Sequence, residues 1–143
     1  MLNNSEEFAN VMGASFDSHP RLQQVTIELV EPEHQLLRAF KGKSFTCTDE
    51  PYLFKNTYKD KNFRPLLKIA IDKLRYEVTE KFRSDVRYFS WIKRYGKGRV
   101  FFSAFSHEES SFENHVLLQF YLDGLQYALG DLDCDDSVKN IIK

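Results

Sequence analysis

The spacing of apolar residues changes period several times along the chain, and each change marks an element. After Ser5, the acidic pair Glu6 and Glu7 is followed by Phe8, Val11 and Met12 at helical spacing. A hydroxyl cap, acids in the first turn and an apolar stripe predict a short helix that Gly13 ends. From Gln24 to Val30 the period falls to two, with Val25, Ile27 and Leu29 on one face and Thr26 and Glu28 on the other. That alternation predicts a strand with one wet side. Pro32 and Gly42 frame a short apolar group that leads into a second extended piece, SFTCT, which stops at Asp49, Glu50 and Pro51.

The run LLKIAI, Leu66 to Ile71, is continuously apolar and of strand length, whereas the charge-mixed DKLRYEVTEKFRSD after it fits either a helical insertion or a mobile loop. RYFSWIK and RVFFSAF read as paired strands joined through RYGKG, where Gly96 and Gly98 offer the positive φ of a tight turn. Between Phe112 and Leu129 a helix is predicted with Val116, Leu117, Phe120, Tyr121, Leu125, Ala128 and Leu129 as its buried stripe and Gly130 as its stop. Strands flanked by helices, without repeats or linkers, predict one α/β domain over residues 1–143, with helices packed on a sheet.

Composition narrows the function. Lys and Arg number 20 against 21 Asp and Glu, a net charge of −1, so there is no basic excess to neutralise a phosphate backbone and nucleic acid is excluded as a general partner. The most apolar window, VLLQFYLDGLQYAL, is interrupted by Gln119, Asp123 and Gln126, which excludes a spanning helix and a membrane role. Acidic residues stand where a secretory signal would carry basic ones, so a cytoplasmic location is expected. Cys47 and Cys134 lie far apart without a CxxC or a nearby His, and read as idle thiols rather than zinc ligands or a disulfide. Thirteen Phe and seven Tyr point to an aromatic-rich core.

No P-loop, GxGxxG, HExxH, GxSxG or EF-hand loop occurs. Candidate chemistry is therefore positional: in open α/β sheets, ligands sit beyond strand ends. Three groups meet that condition. They are His107 after RVFFSAFS, Asp49 and Glu50 after SFTCT, and His19 in the loop SFDSHP before the Gln24 strand. Taken alone, His19 beside Pro20 is more often a turn residue bonding its own backbone, and Asp49–Glu50 a solvated pair. His34 and His115 read as structural, one in a turn and one at an exposed helix start.

The segment WIKRYGKGRVFFSAFSH and the helix LLQFYLDGLQYALGDL closely resemble the C-terminal end of the ThuA-like (trehalose-utilisation) family, with its WxxxYGKGRVFYxxLGH core and GIxxALGDL-type helix. Upstream, FDSHPRLQQVTIELVEPEHQLLRAF and SFTCTDEPYLFKN resemble the family's His loop, valine-rich strand and DELYxF segment, in the family's order. The resemblance implies a flavodoxin-like α/β sandwich of the class I glutamine amidotransferase-like superfamily, and a role in metabolism of trehalose or oxidised sugars. It carries His19, Glu50 and His107 as site residues, with Asp49 and Tyr52 orienting the ligand. Three positions depart from the pattern: Ser106 stands where the family has Gly, Pro51 interrupts DELY, and Phe112 replaces a Trp. The family's N-terminal Rossmann-like half has no counterpart here, so the fold is expected to be the C-terminal portion of an incomplete ThuA-like domain.

Two chemistries suit the three residues. His19, Glu50 and His107 could ligate zinc or another divalent metal with an open position for water, suiting hydrolysis of a sugar derivative. The same groups could instead act without metal as general acid and base on a sugar hydroxyl or carbonyl. Amidotransferase chemistry, suggested by the His107-x-Glu109 spacing, is disfavoured because neither cysteine lies on a strand-to-helix elbow. The expected partner is a small sugar. The alternative to an enzyme is a truncated or degenerate, non-catalytic module that acts in binding or assembly, as a homo-oligomer or with a partner supplying the missing half.

Overall fold

A computed structural model describes residues 5–74 and 87–139. Ser5 caps helix α1, Glu6–Met12, by accepting from the Phe8 amide, and Gly13 closes it at φ 92°. The strands are β1, Ser15–Ser18, β2, Gln23–Leu29, β3, Phe45–Asp49, β4, Leu53–Lys55, β5, Arg64–Ile69, β6, Arg87–Tyr95, and β7, Gly98–Ser103. Helix α2, His115–Leu129, begins at an Asn114 cap that accepts from the Val116 and Leu117 amides, and ends at Gly130. Most of DKLRYEVTEKFRSD, residues 75–86, lies outside the described residues. Among the described residues no helix is long and apolar enough to cross a membrane.

The main sheet has strand order β3-β2-β5-β6-β7, and β1 and β4 form a separate ribbon. Every pairing among the described residues is antiparallel. The coarse expectation of an α/β fold holds, but the parallel sheet of a flavodoxin-like sandwich is not what these strands build. Parallel neighbours need a crossover of a dozen or more residues, usually helical. Here β6 returns to β7 through two residues, since Tyr95 pairs with Gly98. Between β2 and β3 there is only a short 3-10 helix, Gln35–Phe40. Of the two glycines expected to turn the hairpin, Gly96 takes a positive φ and Gly98 does not, because Gly98 is already a paired strand residue.

Register shifts between Pro65 and Leu67 and between Leu67 and Lys68 interrupt the β5–β6 ladder. Such bulges bend and further twist a strand, curling the sheet. β6 is an inner strand, with Arg87 through Lys93 all buried. Trp91 lies between Phe63 and Phe102, ring centroids 4.6 and 4.1 Å away, and its indole N–H donates to the Met12 carbonyl at 2.8 Å. The buried Lys93 ammonium donates to the Asn10 carbonyl at 2.6 Å. These two bonds satisfy carbonyls at the end of α1 and fix that helix to the sheet.

α2 takes a different face inward from the one its sequence predicts. Leu117, Phe120, Asp123, Gly124 and Tyr127 are buried, whereas Val116, Leu125 and Leu129 are exposed. Two polar-looking positions explain the rotation. The fully buried Asp123 carboxylate receives both arms of the Arg38 guanidinium at 2.7 and 2.9 Å. A Cβ at Gly124 would stand 2.4 Å from the Phe101 ring, so only glycine lets the helix lie this close to β7.

Candidate functional site

The sequence-nominated residues come together where the end of β3, the loop after β1 and the loop after β7 meet. The Glu50 carboxylate oxygen Oε2 lies 3.4 Å from His19 Nδ1 and 3.6 Å from His107 Nε2. One acid therefore faces two imidazoles that are 88 residues apart in the chain. Tyr52 closes the group, with its hydroxyl 3.4 Å from His107 Nδ1. Rings support it from the side: Phe16 meets Tyr52 edge-on at 5.0 Å, and His19 lies 5.4 Å from the Tyr52 ring.

The neighbours assign the His19 tautomer. His19 Nδ1 faces two acceptors, Glu50 and the Pro20 carbonyl at 2.9 Å, so that nitrogen carries the hydrogen and Nε2 keeps a lone pair. The turn bond expected of a His-Pro pair is thus present together with the Glu50 contact. His107 turns Nε2 toward the carboxylate at 3.6 Å and Nδ1 toward the Tyr52 hydroxyl at 3.4 Å. Burial first, then the Glu50 and Asp49 charges, raise the Tyr52 pKa above that of an ordinary phenol, so Tyr52 remains an O–H donor at neutral pH.

The Asp49 side chain is 1% exposed, and its oxygens accept from three backbone amides: Glu50 at 2.9 Å, Ser106 at 2.8 Å and His107 at 3.3 Å. It holds the loop that carries His107. Ser106 needs that hold, because its φ of 74° lies in the left-handed region where a Cβ is disfavoured. Its hydroxyl also bonds the Tyr121 hydroxyl at 2.6 Å. This is the position at which the sequence departs from the Gly of the pattern it resembles. Nearby, burial and then the Asp49 charge push the Cys47 thiol up to about 12, which makes it a poor nucleophile, consistent with an idle thiol.

A divalent metal is not supported by the donor geometry. Among the described residues no group of three His, Cys, Asp or Glu side chains is disposed to hold a metal ion. Both imidazoles converge on one carboxylate oxygen, at 3.4 and 3.6 Å. Glu50 is the acid that faces His107.

Sequence reasoning missed the cavity beside the cluster. Its volume is about 420 Å³, and Phe16, Phe54, Phe102 and Ala104 form walls that end at His19 and Tyr52. The signal lay in Phe16, three residues before His19, but nothing local showed that it would line one cavity with Phe54 and Phe102.

The sequence profile of the family described as ThuA, trehalose utilisation, matches residues 2–128. A ThuA-like protein from Bacteroides uniformis superposes with a TM-score of 0.67 at 15% identity, covering 87% of this chain and 51% of that one. A ThuA-like protein from Parabacteroides merdae superposes with a TM-score of 0.62 at 13% identity, covering 95% of this chain and 57% of that one. At these identities the likeness is one of fold, and the chain spans little more than half the length of either relative. No curated protein matches its sequence.

Proposed function

Because this chain belongs to the ThuA, trehalose-utilisation, family, we propose that it binds and processes a small sugar of trehalose metabolism at the cluster of His19, Glu50, His107 and Tyr52. The observation that carries this reading is the convergence of both imidazoles on Glu50 Oε2, at 3.4 and 3.6 Å. A carboxylate that faces one nitrogen of each ring leaves the opposite nitrogen available as a base, which is how a general base is oriented.

His19 Nε2 is then the free lone pair that takes a proton from a sugar hydroxyl or from water, and Glu50 stabilises the imidazolium that forms. Tyr52 and His107 form the second arm. The phenol, kept protonated by its surroundings, supplies a hydrogen bond to a sugar oxygen or carbonyl, and His107 Nδ1 orients it or accepts its proton. The arrangement suits proton transfer at a hydroxyl or carbonyl and hydrolysis by an activated water, without a metal-bound step. Asp49 acts only through the loop it fixes.

The test is calorimetric titration with trehalose and its oxidised forms, paired with turnover assays, on wild type, His19→Ala, Glu50→Gln and His107→Ala. Each variant is expected to lose at least tenfold in affinity or rate. Sugar binding that survives Glu50→Ala and His107→Ala together would overturn the assignment. Binding lost in the variants without turnover by wild type would favour the second reading, a non-catalytic sugar-binding module.

A further inference from the structure

The cavity beside the cluster has a composition that a disaccharide does not fit. Sugar rings present hydroxyls around their rim, and each must find a partner when it leaves water. Along this cavity the polar side chains are few. His19 and Tyr52 stand at one end, Ser103 adds a single hydroxyl, and the remaining wall is built by Phe8, Met12, Phe16, Phe54 and Phe102, with Ala14 and Ala104 between them. A second sugar ring placed there would bury hydroxyls against aromatic carbon. A planar apolar group would need no partners and would meet ring faces and edges on several sides. The volume of about 420 Å³ is within the range of small-ligand pockets.

We infer that the cavity receives the aryl group of an aryl glycoside, whose sugar ring sits at Glu50 and His107 while the glycosidic oxygen lies near His19 and Tyr52. This rests on the sugar-processing reading above and narrows its substrate class. The polar end and the apolar wall meet at the residues that border both, His19 and Tyr52, so a ligand with one polar and one flat apolar half matches the site along its length. Phe16 is shared as well, since it packs edge-on against Tyr52 and also lines the wall. It is the specificity residue this arrangement points to.

The experiment uses Trp91, the only tryptophan. Its ring stacks on Phe102 at 4.1 Å and meets Phe54 edge-on at 5.3 Å, so filling the cavity should change its fluorescence. Phenyl glucoside, methyl glucoside, trehalose and phenol are titrated into wild type, Ala104→Leu and Phe8→Ala. The Ala104 amide keeps its ladder bond to the Phe89 carbonyl, so Leu fills the cavity without breaking the sheet. Phe8 is 40% exposed, so its removal tests the cavity in a folded protein even if Ala104→Leu does not fold.

Phenyl glucoside is expected to bind at least tenfold more tightly than methyl glucoside or trehalose, with the advantage erased by Ala104→Leu and reduced severalfold by Phe8→Ala. Equal affinity for phenyl and methyl glucoside would overturn this inference and leave the sugar site standing. An aryl advantage unchanged in both variants would also overturn it, since the ring would then bind elsewhere. Phenol binding without any glucoside binding would overturn the sugar reading, and the aryl-glycoside assignment with it.

Discussion

Replacing Asp49 tests whether a buried carboxylate positions the site. It is 1% exposed and accepts from the amides of Glu50, Ser106 and His107. A hydrogen bond to a charged acceptor contributes roughly 1.5–3 kcal/mol, and an amide left without a partner in a buried position costs about 1–3 kcal/mol. The three do not sum fully, because the His107 bond is long and its residue lies at the surface, where water replaces it. Asp49→Ala should therefore destabilise by about 3 kcal/mol, and at roughly 3–4 °C per kcal/mol for a domain of this size the midpoint should fall by about 10 °C. Asp49→Asn keeps one acceptor oxygen and turns an amide N–H toward the other donor, so its cost should be about half as large. Urea unfolding followed by Trp91 fluorescence reads both values. The loop should loosen as well, because Ser106 at φ 74° is held against backbone strain by the same carboxylate. Sugar affinity should then drop in both variants through the loosened His107 loop. If both variants stay within about 0.5 kcal/mol of wild type, as an ordinary surface substitution does, the positioning role is refuted.

Other consequences follow from burial and charge. Phe120→Ala should cost about 3–5 kcal/mol, whereas Leu125→Lys, at a position 58% exposed, should stay within about 0.5 kcal/mol; reversal of that order in urea titrations would mean that α2 presents the opposite face. The Arg64 guanidinium is 5% exposed and bonds Glu31 and Asp135 at 2.5 and 2.7 Å, so Arg64→Ala should destabilise by about 1–3 kcal/mol through the loss of those charge-assisted bonds, while Glu31 keeps Lys139 at 3.0 Å. Cys47, pushed up to about 12 chiefly by burial, should resist iodoacetamide at pH 8 in the folded protein and react readily in urea, as mass spectrometry of the labelled peptide would show. The same shift makes stability depend on pH. The folded thiol binds its proton more tightly than the unfolded one, so its contribution is complete below pH 9 and is lost as pH rises from about 9 to about 12; Cys47→Ala should flatten the alkaline limb of the unfolding curve.

The helices, strands and hairpin were legible because each is set by local period and by its caps. Ser5 and Gly13 bracket α1, Val25, Ile27 and Leu29 alternate through β2, and Gly96 turns the β6–β7 hairpin. What the local pattern could not carry was how the pieces meet. The direction of strand pairing depends on connection geometry, and the expectation of a parallel sandwich came from resemblance rather than from the length of the turns. The inward face of α2 depends on Arg38, which lies 85 residues away and makes Asp123 a buried residue. A count of apolar positions along the helix alone places Leu125 and Leu129 inside.

The site divides along the same line. His19, Glu50 and His107 were reachable because each lies just past an extended segment, a local property, and the fold then brings them to one carboxylate oxygen. Adjacent acids look alike in sequence, whereas β-strand geometry sends neighbouring side chains to opposite sides. As the last residue of β3, Asp49 turns inward to the Ser106 and His107 amides, while Glu50, one step further, faces the imidazoles. One acid therefore holds the loop and the next faces the rings that the loop and its neighbour present. Exchanging the pair, Asp49→Glu with Glu50→Asp, preserves charge and composition but lengthens the buried arm and shortens the exposed one. If position on the strand sets the two roles, that double variant should lose both stability and sugar binding, and retention of wild-type affinity would show that the two carboxylates are interchangeable.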